Sequence, residues 1–158
     1  QGACVFLNMN SRKSVSTCLV TDPTCEAVCE CIGNFTGPKC DLTPAYLEQR
    51  TALRTELIQS LSTVAQVDDV NEESVAALSN SLSSLSQNSY ELSDTAVDVI
   101  ADVASTILAN AATLGTFSYE TAVGVLTAMD AAVAVKARAI DSSYGSANNG
   151  STSAATGA

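Results

Sequence analysis

The chain has 158 residues, 17 acidic against 7 basic side chains, a formal net charge of −10, six cysteines and no histidine. That size suits one ordinary domain or a small module joined to a helical one. The acidic excess argues against nucleic acid, which needs clustered cations, and the missing histidine removes the commonest general base and metal ligand. All six cysteines (Cys4, Cys18, Cys25, Cys29, Cys31, Cys40) lie in the first 40 residues, while the remainder is rich in Ala, Ser, Leu, Val and Thr. Two compositions predict two folding units.

A segment of about 40 residues buries too little apolar surface to fold without disulfides or a metal. The close cysteine pairs, Cys25-x3-Cys29 and Cys29-x-Cys31, share Cys29 and have no histidine to complete a zinc site. No Cys-x-x-Cys opens a helix, so a thioredoxin-type centre is not expected either. Disulfides remain, with fifteen connectivities open to six cysteines, and they imply an oxidising, extracellular compartment. Asn34-Phe35-Thr36 and Asn149-Gly150-Ser151 are N-glycosylation acceptors, making Asn34 and Asn149 candidate glycan sites.

The spacing Cys4-x13-Cys18-x6-Cys25-x3-Cys29-x-Cys31-x8-Cys40 ends in Cys-x-Cys-x5-Gly-x2-Cys. This ending resembles that of an EGF-like module, in the compact form of tenascins and teneurins. Gly37 falls at the final tight turn, Phe35 is the aromatic two residues before it, and Cys40 closes the last loop. The first gap is longer than compact modules have. The resemblance implies pairing of Cys4 with Cys25, Cys18 with Cys29, and Cys31 with Cys40. Calcium-binding members carry acids before the first cysteine; Gln1-Gly2-Ala3 stands there, so no calcium is expected.

Beyond Cys40, Thr43-Pro44 is a cap followed by proline at the first helical position. Leu47, Leu53, Leu57, Ile58, Leu61, Val64 and Ala65 then mark one amphipathic helix. After a break at 67–71, Val75, Leu78, Leu82 and Leu85 give a second, shorter helix with a narrow seam. Ser93 caps a third carrying Val97, Ile100, Val103, Ala104, Ile107, Leu108 and Ala111, stopped at Gly115. Ser118 caps a fourth with Val123, Val125, Leu126, Met129, Ala132, Val133 and Ile140, and with Lys136 and Arg138 near its end to complement the helix dipole. The expected fold is therefore a small disulfide-rich β module over 1–41, an antiparallel bundle of about four helices over 42–141, and a low-complexity, disordered Ser/Gly/Ala linker over 142–158.

Ten acids and no Lys or Arg fall between Gln59 and Val135, which predicts an acidic bundle surface. Asp94, Asp98 and Asp102 recur every four residues, but that stripe is the pattern of a solvated face and no loop has EF-hand order. Neither a metal nor another cofactor is expected. No nucleophile elbow or phosphate loop is present, so no catalytic residue is assigned and the protein is not expected to be an enzyme.

Residues 74–111 add a second resemblance. A helix ending in Leu-Ser, an Asn-containing link and Glu-Leu-Ser before the next apolar helix is similar to the helical part of receptor-for-egg-jelly and GAIN regions of polycystins and adhesion receptors. The self-cleavage site of GAIN regions needs a histidine that this chain lacks. The resemblance implies an extracellular stalk that spaces modules or transmits force.

These signals lead to a non-catalytic structural or adhesive segment of a larger surface protein or an extracellular filament, such as a flagellar hair. An EGF-like receptor ligand and a GAIN-like regulatory ectodomain are the alternatives. Partners are other modules of the same chain or assembly, with homo-assembly in a filament as an option. No apolar run looks long enough to span a bilayer, so any anchor is expected outside this piece. The isolated bundle is expected to be monomeric, with helix two the best placed to leave its seam for a partner.

Overall fold

In a computed structural model, residues 2–11, 13–67 and 69–148 are described, with side chains of 140–148 left aside. The chain forms two compact units, residues 1–50 and 51–158. The first contains an antiparallel sheet of β1 (Gly2–Asn8), β2 (Lys13–Val15) and β3 (Cys25–Cys31), with β1 in the middle. β1 and β3 pair along their whole length, from Gly2 opposite Cys31 to Asn8 opposite Cys25. Side chains alternate across a strand. Cys25, Cys29 and Cys31 therefore share one face of β3, and Cys4 joins them from β1.

Gly2 is required by close approach. A Cβ there would lie 2.5 Å from the Glu30 carbonyl oxygen and 2.7 Å from Cys40 Sγ. Gly37 makes the tight turn expected of it, with φ +88° and its carbonyl accepting from Cys40 N at 3.1 Å. Thr36 and Leu42 then pair backbone to backbone and close the module.

Helix α1 (Pro44–Val67) begins where Thr43-Pro44 predicts, Thr43 Oγ1 accepting from Tyr46 N at 3.3 Å. The boundary between the two units falls inside this helix, so the bundle unit starts nine residues later than 42, the boundary expected from composition. In the bundle, α2 (Glu72–Ser86) opens on a capping box between Asn71 and Ser74. A 3-10 turn (Ser89–Glu91) leads to Ser93, whose hydroxyl caps α3 (Asp94–Leu114), and Gly115 ends α3 in the left-handed conformation, φ +67°. Ser118 caps α4 (Tyr119–Asn148) through Thr121 N. The core comprises Ile58 and Ala65 of α1, Val75, Leu78 and Leu82 of α2, much of α3, and Val125, Ala128, Ala131 and Ala132 of α4.

Several expectations are corrected. α4 runs through Asn148, so the linker does not begin at Ser142; once a helix is nucleated, each further residue needs only one added hydrogen bond. Residues 149–158, with Asn149, lie outside the described residues. Lys136 and Arg138 are thus inside α4: Lys136 pairs with Asp94 and Asp98 of α3, and Arg138 donates to the carbonyls of Ala134 and Ser89.

Leu126 and Val133, expected in the seam of helix four, are 68% and 62% exposed. α4 buries its small residues Ala128, Ala131 and Ala132 instead, and at Gly124 it admits Ser79 of α2 closely. Leu53, Leu57 and Val64 of α1 likewise face outward. α2, expected to keep a free seam, buries Val75, Leu78 and Leu82.

α3 is also long and apolar enough, by length and composition, to cross a membrane, contrary to the expectation that no apolar run has the length to span a bilayer. Here its apolar side, from Ala96 to Ala111, is bundle core, while Asp98 and Asp102 face outward.

Candidate functional site: the cysteine face

The face of the sheet that carries the cysteines is the chemically distinctive surface of the first unit. Cys18 is bonded to Cys25, and Cys31 to Cys40. Cys4 and Cys29 are present as thiols, with their sulfurs 3.4 Å apart. The last bond is the one the EGF-like resemblance implied. Cys4 with Cys25 and Cys18 with Cys29 are not made.

Strand register explains the difference. Cys4 lies opposite Cys29, and facing Cα atoms in an antiparallel pair are about 4.5–5.5 Å apart, inside the range a disulfide spans. Cys25 lies four residues along β3, about 13 Å away at strand rise, and is out of reach of Cys4. The loop before β3 instead returns Cys18 to Cys25. Asp22 folds that loop, its Oδ1 accepting from Thr24 N at 2.9 Å and Thr24 Oγ1 at 2.7 Å. The side-chain bond from Thr24, followed by the backbone one, holds the Asp22 carboxyl below the usual carboxylate range.

The three sulfur pairs differ in exposure. Cys4 is exposed, whereas Cys40 is 1% exposed beneath Gly2. Cys40 also holds φ +53°, an uncommon left-handed conformation for a residue with a side chain, set by the Gly37 turn and the bond to Cys31. The hydrogen bond with Cys4, helped by burial and by Cys4's proximity, raises the Cys29 thiol above the ordinary thiol range. Asn34 stands exposed in the loop closed by Cys31 and Cys40.

In the bundle, the acidic stripe is organised by one cation. Lys136 Nζ lies 3.3 Å from Asp94 and 3.5 Å from Asp98. The hydrogen bond to Asp94 raises the Lys136 pKa above the ordinary lysine range. Among the described residues no cluster of three or more His, Cys, Asp or Glu has the geometry to hold a metal ion.

Glu91, counted from sequence among the surface acids, is 2% exposed. Arg54 of α1 donates to its Oε2 from Nε at 3.1 Å and Nη2 at 2.7 Å, and from Nη1 to the Leu85 carbonyl at 2.6 Å. Beside it, the hydroxyls of Thr55 and Ser93 meet at 2.9 Å. This buried polar fastening of α1 to the α2–α3 connection had one sequence signal: Arg54 stands within an apolar helix face. α3 and α4 also enclose a shallow groove of about 410 Å³ lined by Val97, Ala101, Met129, Ala132 and Val133.

No family model matches the chain, and no curated protein or solved structure matches it.

Proposed function

We propose that this chain is a non-catalytic, extracellular structural segment: a spacer or force-bearing stalk within a larger multi-module surface protein or an extracellular filament. The observation that carries the reading is the serial arrangement on one chain of two compact units, the first cross-linked by disulfides and the second helical. Disulfides accord with an oxidising compartment, and they limit how far a module extends under load. Cys31–Cys40 closes four residues before Pro44 starts α1.

Single-molecule stretching of the chain tests this. The helical unit should give one unfolding step of about 330–360 Å, as expected for roughly one hundred residues drawn out. The first unit should give a short step that lengthens in reductant, as the segments spanned by disulfides are released. A bundle that extends without resolvable resistance, or a first-unit step indifferent to reductant, would remove the mechanical reading.

A further inference from the structure

We propose that Cys4 and Cys29 form a reversible cross-strand disulfide, a redox site distinct from the two bonds already in place. The juxtaposition that carries it is one of register: Cys4 and Cys29 face each other across β1 and β3, with sulfurs 3.4 Å apart. No backbone rearrangement separates the thiols from the bond. Seven consecutive residue pairs hold these strands together, so the sheet keeps its register whether the sulfurs are joined or not. That makes this pair suited to opening and closing, whereas Cys31–Cys40 closes an otherwise irregular loop and ends in a buried Cys40.

The oxidant class is a low-molecular-weight disulfide such as oxidised glutathione. Exposed Cys4, as its thiolate, attacks one sulfur of that disulfide, forming a mixed disulfide and expelling the first small thiol. Cys29, deprotonated, then attacks Cys4 Sγ, forming the Cys4–Cys29 bond and expelling the second. The protein loses two electrons and two protons, and one small disulfide becomes two thiols. A dithiol reductant reverses the sequence. Cys4 is the entering site because it is exposed, and Cys29, half-buried behind it, is the resolving thiol.

Two measurements on the full chain, folded in a glutathione redox buffer, decide the matter. Digestion without reduction after Arg and Lys and after Glu separates Cys25, Cys29 and Cys31 onto different peptides, because Glu26 and Glu30 lie between them. The expected map joins the peptide of Cys4 to that of Cys29 and loses this link in Cys4→Ser, with Cys18–Cys25 and Cys31–Cys40 retained. A map joining Cys4 to Cys25 and Cys18 to Cys29, or leaving Cys4 and Cys29 as thiols, overturns the proposal. Reductant titration with alkylation of freed thiols tests reversibility. Cys4 and Cys29 should be labelled at a reduced-to-oxidised dithiol ratio at least about tenfold lower than the other four cysteines, equivalent to about 30 mV. Opening of all six together, or of this pair last, overturns the redox role. This inference concerns the first unit's chemistry and stands independently of the mechanical reading.

Discussion

Replacing Gly124 by alanine sets two effects against each other. Within a helix, alanine is favoured over glycine by about 0.8–1.0 kcal/mol, and on that ground alone the substitution would stabilise α4. The packing opposes it. A Cβ at Gly124 would fall well inside van der Waals contact with Ser79 Oγ and 2.9 Å from the Ser79 carbonyl oxygen. Ser79 is fully buried, and its hydroxyl donates to the Thr121 carbonyl at 2.9 Å. Rotating it away would leave a buried hydroxyl unpaired, at about 1–3 kcal/mol. The carbonyl contact would persist in any case, forcing α2 and α4 apart at an overpacking cost of about 1–3 kcal/mol. The cost exceeds the propensity gain, for a net loss of about 1–3 kcal/mol. At about 4–8 °C per kcal/mol for a domain of this size, the melting temperature should fall by roughly 4–24 °C, read from the helical circular dichroism signal. Gly124→Ala combined with Ser79→Gly should recover part of the loss. An alanine variant that melts at or above the parent would refute the claim that Gly124 sets the α2–α4 approach.

Arg54→Met removes both Arg54 hydrogen bonds from the buried Glu91 carboxylate, so unfolding in denaturant should show about 3 kcal/mol lost, with Arg54→Met/Glu91→Gln less damaged than the single variant; equal loss in both would deny the pair its role. For Lys136, bonding to Asp94 raises the folded-state pKa, so its contribution is complete below the ordinary lysine range and disappears as pH rises through the raised value. Lys136→Gln should therefore lower the melting temperature slightly at neutral pH and low salt, with the difference vanishing in strong alkali and in high salt; a difference that persists in both would point to packing instead. Secreted from eukaryotic cells, the chain should lose an endoglycosidase-sensitive mass increment on Asn34→Gln, and an unchanged glycan mass would exclude that site.

What was legible in the sequence is what is decided locally. Thr43-Pro44, Ser93, Gly115 and Ser118 act within one turn of their own position, and each ends or starts its helix where the residue type predicts. The side of α4 that enters the core was not legible, because Ala and Val surround that helix and give no clear period; the choice falls to Gly124, which lies against Ser79 of α2, and to the alanines that enter the core with Val125. Glu91 could not be separated from the exposed acids for a similar reason. Its burial depends on Arg54, 37 residues earlier, and charge counting within a window that excludes Arg54 sees only another carboxylate.

The cysteines show the same division between local pattern and register. Their separations in β3, four and then two residues, are both even, which is the period of a strand and places Cys25, Cys29 and Cys31 on one face. That much the spacing contains. Which of the three meets Cys4 depends on how β1 slides against β3, and a slip of one residue would turn Cys4 from Cys29 toward Val28 or Glu30. The register is fixed by contacts at both ends: Gly2 can lie against Glu30 and the Cys31–Cys40 bond only because it has no side chain, and Met9 N reaches the Thr24 carbonyl at 2.7 Å beyond the far end. Moving any other residue of β1 into the place of Gly2 brings a Cβ into Cys40 Sγ. The glycine at the start of β1 thus selects Cys29 as the partner of Cys4, and it does so while those two sulfurs are still thiols.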